Sequence, residues 1–213
     1  MADWSAMLAQ TARYYGTTAR AYGATPRGAD WSSADAQRRR FDQFARLFDV
    51  DGEFSINDYG CGYGALADWL EGLGRPYRYH GFDVTGDMIA LAREAHRDRL
   101  ACRFTTEIGE LAPADYTVAS GIFNVKLTAS TDEWAEYVFD TIDRMAALSL
   151  RGFAFNLLTA DSDPDRRKPN LFYCDPMDAF SRCRARYGRA VAVLQDYGLY
   201  DFTVIVRKDG ASA

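Results

Sequence analysis

Hydrophobic residues along this chain fall into two kinds of run, which predict two kinds of element. Short runs such as FSINDYG and GFAFNLLTA are apolar over most of their length and end at glycine or polar residues, which is typical of buried strands. Longer runs space their apolar residues like the turns of a helix, as in STDEWAEYVFDTIDRMAALS, where they are Trp134, Val138, Ile142 and Met145. From Gly52 onward the two kinds of run alternate.

This alternation predicts seven strands and the helices that connect most of them. The strand segments are FSINDYG, YRYHGFDV, CRFTTE, DYTVASGIFNV, GFAFNLLTA, AVAVLQDYG and YDFTVIVRK. Capping residues mark two of the helix starts, with Ser130 and Glu133 forming a capping box and Asp175 preceding Pro176. Strands that alternate with helices form a parallel sheet covered on both faces. We therefore predict an α/β fold, a three-layer sandwich whose mostly parallel seven-stranded sheet carries an antiparallel edge hairpin.

The N-terminal part of the chain lacks this alternation. Residues 1–32 are aromatic and rich in turn-forming residues, so they predict an irregular or partly helical segment. Ser33 can cap a helix that runs to about Phe48. We divide the chain into this N-terminal segment, residues 1–32, and one domain over residues 33–213.

Composition and charge narrow the classes of function. Apolar residues make up 48% of the 213 residues, which is enough for a sizeable core. The net charge of -5 counts against a nucleic-acid partner, which usually needs a basic face. The cysteines and histidines lack metal-binding spacing, so we predict no metal site. The early Asp3 argues against a secretory signal, and no apolar run approaches a membrane span, so we expect a cytoplasmic protein.

The stretch INDYGCGYG places three glycines, Gly60, Gly62 and Gly64, directly after the first strand. Ligands of open α/β sheets bind at the carboxyl ends of strands, and glycines let the backbone approach a ligand closely. The spacing G-x-G-x-G differs from the dinucleotide fingerprint G-x-G-x-x-G, and no P-loop lysine follows. Asp83 ends the second strand, 19 residues after Gly64, where a carboxylate can accept both hydroxyls of a ribose. The pattern predicts a nucleoside ligand without an essential pyrophosphate.

At these residues the chain resembles the class I, Rossmann-like S-adenosylmethionine-dependent methyltransferases. Their first motif, an acidic residue followed by G-x-G-x-G, is matched by Asp58 and the three glycines, and their ribose-binding acid is matched by Asp83. Their seven-stranded sheet with a closing hairpin matches the predicted elements over roughly residues 35–208. The resemblance implies an enzyme that uses S-adenosylmethionine and releases S-adenosylhomocysteine.

The resemblance also implies which residues contact the cofactor. Most lie at the ends of the first four strands, although the Asp-Ala pair usual near the adenine is absent after the third. Residues 1–32 are expected to close over the cofactor as a lid, and Arg40 to reach its carboxylate. The expected cofactor residues are Trp31, Arg40, Asp58, Gly60, Cys61, Gly62, Asp83, Val84, Met88, Thr106, Glu107, Ser120 and Gly121.

The acceptor side is expected to draw on the lid, the loop after the fourth strand, the polar stretch after the fifth strand and the final hairpin. The expected substrate residues are Tyr22, Phe123, Asn124, Tyr173 and Tyr197. No residue is marked as a catalytic base, since His80 lies within a strand and His96 resembles an exposed helix residue. Methyl transfer depends mainly on placing the nucleophile, so a base is needed only when the acceptor loses its proton early.

We predict a methyltransferase that acts on a nitrogen or oxygen of a small molecule, without a nucleic-acid or membrane partner; a homodimer is compatible with the sequence. Three alternatives stay open. One is a protein or RNA methyltransferase aided by a partner. Another is a NAD(P)-dependent oxidoreductase on a similar sheet, against which the glycine spacing and the lack of a Tyr-x-x-x-Lys pair count. The third is a protein that binds the cofactor without chemistry.

Overall fold

The computed structural model describes residues 3–48 and 52–208, and within them the chain forms six α-helices and eight β-strands. The outer ends of the two predicted domain ranges, residues 1–2 and 209–213, lie outside the described residues. The helices are α1 (Ser5–Tyr22), α2 (Ala34–Phe44), α3 (Ala65–Glu71), α4 (Gly86–Ala95), α5 (Thr131–Ala147) and α6 (Pro176–Tyr187). The strands are β1 (Phe54–Tyr59), β2 (Tyr77–Phe82), β3 (Cys102–Thr105), β4 (Ala114–Ala119), β5 (Ser149–Thr159), β6 (Tyr173–Cys174), β7 (Val191–Leu194) and β8 (Asp201–Arg207).

The strands form one sheet in the order β3-β2-β1-β4-β5-β8-β7, and β6 pairs with the end of β5. Strands β1 to β5 are parallel, whereas β8 is antiparallel to both β5 and β7. The predicted mostly parallel sheet with an antiparallel edge hairpin is confirmed. Beyond the prediction, β6 adds a two-residue strand, and the reversed strand β8 lies one place in from the edge. Because strand order reverses between β1 and β4, their following loops leave a crevice between them.

Two apolar cores cover the two faces of the sheet and give the predicted three layers. One face packs against α2, α3 and α4 through Phe44, Leu66 and Ile89, which are at most 2% exposed. The other face packs against α5 and α6 through Ile142 and Ala179, which are fully buried. The sheet therefore forms a well-packed platform for the loops at its carboxyl edge.

The predicted capping residues set the starts of α5 and α6. Ser130 Oγ accepts a hydrogen bond from the Glu133 N–H at 3.2 Å, and Asp175 Oδ1 accepts one from the Met177 N–H at 2.7 Å. Pro176 occupies the first turn of α6. These bonds satisfy amide groups that the start of a helix leaves unpaired.

The N-terminal segment is more regular than its sequence predicts, because α1 is a continuous helix of 18 residues. Trp4 fixes its start, since the indole Nε1–H donates to Asp140 Oδ2 at 3.1 Å and the ring packs edge-on against Tyr137. Gly16 lets α1 approach α4 closely, because an added Cβ would lie 2.8 Å from Asp87 Oδ2. Packing on α4 and α5 thus stabilises a helix that the local composition does not indicate.

A crossing segment, residues 23–33, leads from α1 to α2 and is tied back to α1 by side chains. Thr18 Oγ1 donates a hydrogen bond to the Gly28 carbonyl at 2.6 Å, and the Tyr14 hydroxyl donates to Asp30 Oδ2 at 2.7 Å. Asp30 has a φ of 59°, a conformation that non-glycine residues rarely adopt. These contacts hold Trp31, the next residue, against the loop that follows β4.

Candidate functional site

The loop between β1 and α3 carries the three glycines, with φ values of 84° at Gly60, 53° at Gly62 and 85° at Gly64. A side chain at Gly60 would collide with Ile122, and an added Cβ at Gly64 would lie 2.7 Å from His96 Nε2. At Gly62, by contrast, the nearest side chain is 4.0 Å from an added Cβ. Two of the glycines therefore pack the loop against the protein, and Gly62 leaves its open side to the crevice.

His96 supports this loop from inside the protein, so its predicted exposure is wrong. The residue is 4% exposed, and its ring stacks on Phe104 with a centroid distance of 5.3 Å. Burial lowers the pKa of the His96 imidazole, and burial likewise lowers the pKa of His80 in β2. Neither ring lines the crevice, which agrees with the structural role that the sequence assigned to His80.

A cavity lies over the glycine loop. Its floor is formed by that loop and by the ends of β2 and β4, and its roof by α1 and the crossing segment. Parallel strands bring these separate parts of the chain to one edge. Ten of the thirteen expected cofactor residues line the cavity, and they are Trp31, Asp58, Gly60, Cys61, Gly62, Asp83, Val84, Met88, Ser120 and Gly121.

The other three expected cofactor residues do not line the cavity. Arg40 is buried and forms an ion pair with Asp201. Thr106 and Glu107 are exposed after β3, and the next residue, Ile108, lines the cavity instead. Arg40 is thus paired with Asp201 and does not itself line the cavity, and an apolar side chain stands where the sequence suggested polar ones.

The five expected substrate residues also lie outside the cavity lining. Tyr22 is 41% exposed at the end of α1, whereas Phe123 is fully buried in the core. Asn124 is buried behind the cavity wall, and the hydroxyls of Tyr173 and Tyr197 make hydrogen bonds with residues nearby in sequence. Of the four regions expected on the acceptor side, the N-terminal segment and the loop after β4 contribute to the cavity lining, whereas the polar stretch after β5 and the final hairpin do not.

Asp83 both shapes the glycine loop and faces the cavity. Its Oδ2 accepts a hydrogen bond from the Gly62 N–H at 2.9 Å, and its Oδ1 accepts one from the Thr85 N–H at 2.8 Å. Burial raises the pKa of this carboxyl group, and the two backbone hydrogen bonds oppose the shift. A carboxylate has about four acceptor positions, so about two remain for the hydroxyls of a ligand.

Asp58 lies beneath the same loop in a different environment. It is 3% exposed, and the Tyr79 hydroxyl donates a hydrogen bond to its Oδ2 at 2.6 Å. Burial raises the pKa of Asp58 to about 7; the hydrogen bond from Tyr79 opposes the shift and the charge of Asp83 adds to it. Because Asp58 lines the cavity, a cation bound there would favour its charged form.

Helices contribute cavity residues that the sequence did not single out as ligand contacts. Tyr15, expected in the lid, does line the cavity, and two further residues of α1 lie beside it. Helical periodicity marks which residues of α2 and α5 are apolar, but it cannot show which ones overhang the sheet edge. The additional lining residues include Leu8, Thr11, Gln37, Phe41, Tyr63, Tyr137 and Arg144.

Neither a metal site nor a membrane-spanning helix is found in the described part of the chain. No group of three or more His, Cys, Asp or Glu side chains within residues 3–48 and 52–208 is arranged to hold a metal ion. In the same ranges, no helix has the length and apolar character needed to cross a bilayer.

Sequence comparison identifies relatives of this chain. The family model described as "Methyltransferase domain" matches residues 57–146, which include the glycine loop and Asp83. A Mycobacterium tuberculosis protein named "Putative methyltransferase Rv1506c" is 44% identical over 163 residues, which cover 76% of this chain and 98% of that protein.

Solved structures share the fold at low sequence identity. Human N-acetylserotonin methyltransferase in complex with SAM has a TM-score of 0.64 and 15% identity, covering 97% of this chain and 60% of that one. The DhpI–SAH complex has a TM-score of 0.62 and 16% identity, covering 96% and 98%. Magnesium protoporphyrin IX methyltransferase from Synechocystis PCC 6803 has a TM-score of 0.55 and 14% identity, covering 94% and 83%. The glycine motif, the sheet order and the relative from M. tuberculosis agree with one another. They show that this chain belongs to the class I S-adenosylmethionine-dependent methyltransferases.

Proposed function

We propose that this enzyme transfers the methyl group of S-adenosylmethionine to a nitrogen or oxygen atom of a small molecule. The observation that carries the proposal is the roof over the cavity. Leu8, Thr11 and Tyr15 of α1 line the cavity opposite the glycine loop, and an ion pair between Arg20 and Asp87 holds the helix on α4. A roofed cavity favours a compact acceptor over a group that is fixed to a large macromolecular surface.

The residues around the cavity fit the proposed cofactor. Gly62 presents open backbone, and Asp83 keeps acceptor positions for the two ribose hydroxyls. Val84, Met88 and Ile108 supply apolar surface that suits an adenine ring. When bound, S-adenosylmethionine supplies a methyl group that its sulfonium has already activated.

The chain's own contribution is therefore placement of the acceptor and exclusion of water. Asn156 of β5 fixes the cavity wall that follows β4, because its Oδ1 accepts from the Gly121 N–H at 2.8 Å. Its Nδ2 donates to Ser120 Oγ at 3.1 Å. We assign no catalytic base, which suits an acceptor that loses its proton during or after transfer.

We also propose that residues 1–32 are a lid on the domain formed by residues 33–213. The hydrogen bonds of the crossing segment to α1 support a lid that moves as one body. Hydrogen exchange tests this directly: the amides of α1 should exchange more slowly when S-adenosylhomocysteine is bound. Unchanged exchange in α1, despite saturation measured by calorimetry, would contradict the lid.

Two measurements test the proposed function. Calorimetry should show binding of S-adenosylmethionine and S-adenosylhomocysteine to the purified protein. Transfer of a radiolabelled methyl group should then label small molecules in a metabolite extract that has been separated by size. Label confined to protein or RNA fractions would overturn the proposal and favour the macromolecular alternative, against which the net charge of -5 counts for RNA.

The same assays address the remaining alternatives. Family membership excludes the NAD(P)-dependent oxidoreductase. A protein that binds the cofactor without chemistry would show calorimetric binding and no transfer to any fraction. A homodimer remains a prediction, which sedimentation of the purified protein tests.

A further inference from the structure

We propose that the methyl acceptor is a planar aromatic molecule that takes the place of the Trp31 indole and is recognised through a hydroxyl group by Arg40 and Asn124. This inference rests on the proposed function and specifies its substrate class. It is carried by the position of Trp31, by the fixed cation behind it and by three buried polar atoms without partners.

Trp31 occupies the wall of the cavity next to the loop that follows β4. The six-membered ring of its indole lies so close to Gly121 that a side chain there would collide with it. Ile122, the following residue, packs in turn against Gly60 of the glycine loop. We therefore place the acceptor in the space that the indole fills, beside these loops.

Arg40 forms the opposite wall of that space. Its guanidinium carbon lies 4.5 Å from the centre of a Trp31 ring, so the cation stacks on the indole face. The guanidinium is held in place by the ion pair with Asp201 and by donation from Nη1 to the Ala36 carbonyl at 2.7 Å. A planar cation fixed in this way can also stack on another aromatic ring that replaces the indole.

Three buried polar atoms at this ion pair lack hydrogen-bond partners among the described residues. They are Arg40 Nε, a donor, and two acceptors, Asn124 Oδ1 and Asp201 Oδ1. Arg40 is 7% exposed and Asn124 is 9% exposed, and both interact with the carboxylate of Asp201. Buried polar groups are normally paired, so an unpaired donor and acceptor beside one carboxylate point to a missing ligand group.

The unpaired atoms select the chemistry of that group. A hydroxyl can donate to Asn124 Oδ1 and accept from Arg40 Nε at the same time. A carboxylate could accept from Arg40 but would face the charge of Asp201, whereas an ammonium could donate to Asn124 and Asp201 but would leave Arg40 Nε unpaired and would face the charge of the guanidinium. Together with the stacking surface, this favours a hydroxylated aromatic ring.

Indole and its hydroxylated forms test the inference, because they match the shape of the displaced side chain. In Trp31→Ala loaded with S-adenosylhomocysteine, indole should bind, and at least one hydroxyindole with its hydroxyl on the six-membered ring should bind about tenfold more tightly. Dissociation constants would be measured by NMR titration. Equal affinities, or no binding of any of these compounds to Trp31→Ala, would overturn the inference.

The wild-type protein and two further variants make the test specific. All the ligands should bind more weakly to the wild type, because Trp31 competes for the space. Adding Asn124→Ala to Trp31→Ala should abolish the preference for hydroxyindole without changing the affinity for S-adenosylhomocysteine. Adding Leu100→Ala, at a position between α4 and β3 that is 97% exposed, should leave the preference intact. If Asn124→Ala does not fold, the comparison of ligands in Trp31→Ala alone still decides.

The outcome is separable from that of the proposed function. If the wild-type protein fails to bind S-adenosylhomocysteine in calorimetry, the proposed function fails. The affinities of hydroxyindole and indole can still be compared on Trp31→Ala without that compound. This comparison then tests whether the space of the Trp31 indole binds a hydroxylated aromatic ring.

Discussion

At the scale of residues, two carboxyl groups beside the same loop differ because their partners differ. Asp83 accepts hydrogen bonds from two backbone N–H groups, whereas Asp58 is buried and accepts one from the Tyr79 hydroxyl. Backbone donors stabilise the charged form of a carboxyl group, and burial favours the neutral form. We therefore expect Asp83 to act through its charge and Asp58 to respond to pH.

Replacing Asp83 tests the ribose assignment. Asp83→Asn keeps an acceptor for the loop amides but removes the charge, so the affinity for S-adenosylmethionine should fall by about tenfold to a hundredfold. Calorimetry measures the change. Asp98→Asn, on the protein surface, is the control and should bind like the wild type. Wild-type affinity in Asp83→Asn would refute the assignment.

Asp58 should make stability depend on pH in a definite direction. Its pKa is raised from 3.8 to about 7 in the folded protein, so the folded state holds a proton that the unfolded state releases. Its contribution to stability is thus present at low pH and is lost as pH rises from about 4 to about 7.

The free energy of unfolding, measured from urea titrations at several pH values, checks this expectation. Across that range the wild type should lose stability relative to Asp58→Asn, whose amide does not titrate. The comparison with Asp58→Asn cancels the contributions of the other buried acids. A constant difference between the two proteins across the range would show that Asp58 stays charged.

The sequence identified Asp58 and Asp83 as candidate site residues, but it did not predict the hydrogen bonds and ion pairs around the cavity. The acid before the glycines and the acid at the tip of the second strand are visible in the motif. The hydrogen bond from Tyr79 to Asp58 depends on the register of β1 and β2, in which Asp58 pairs with Gly81. The ion pair of Arg40 and Asp201 joins residues 161 positions apart, so no local sequence pattern predicts it.

At the scale of elements, the glycine loop is held by contacts that require the absence of side chains. Gly60→Ala would place a methyl group into Ile122 at a φ of 84° and should destabilise the protein by about 2 kcal/mol or more. Gly86→Ala, at the start of α4 where an added Cβ meets nothing within 4 Å, should change stability by less than about 0.5 kcal/mol. Urea titration of both variants measures the difference, and equal effects would contradict the packing described for the loop.

The elements themselves were largely predictable, with exceptions that have one physical cause. Strand runs and the caps at Ser130 and Asp175 depend on neighbouring residues, and the structure has them as predicted. The helix α1 and the short strand β6 depend on partners far away in sequence, since α1 docks on α4 and α5 and β6 pairs with β5. Local composition cannot report such partners.

At the scale of the whole molecule, the lining of the cavity comes from the sheet, from helices of both layers, from α1 and from the crossing segment. Binding there should therefore stabilise the fold as a unit. S-Adenosylhomocysteine at a hundred times its dissociation constant should add about 2.7 kcal/mol to the free energy of unfolding, which corresponds to a rise in Tm of roughly 5–10 °C.

Differential scanning calorimetry checks the rise in Tm, with NAD at the same concentration as the control ligand. NAD should leave Tm unchanged, because the loop lacks the dinucleotide spacing. The rise should also be smaller in Asp83→Asn. A shift with NAD as large as that with S-adenosylhomocysteine would contradict the assigned specificity.

The position of β8 has a consequence for how the polypeptide assembles during synthesis. Because β8 is inserted between β5 and β7, the earlier strand β7 has no neighbour in the sheet until β8 has left the ribosome. Asp201, the first residue of β8, is the counter-ion of Arg40, and Arg40 is synthesised much earlier than Asp201. Nascent chains halted before β8 should thus expose one unpaired edge of β5 and leave the Arg40 cation without its counter-ion.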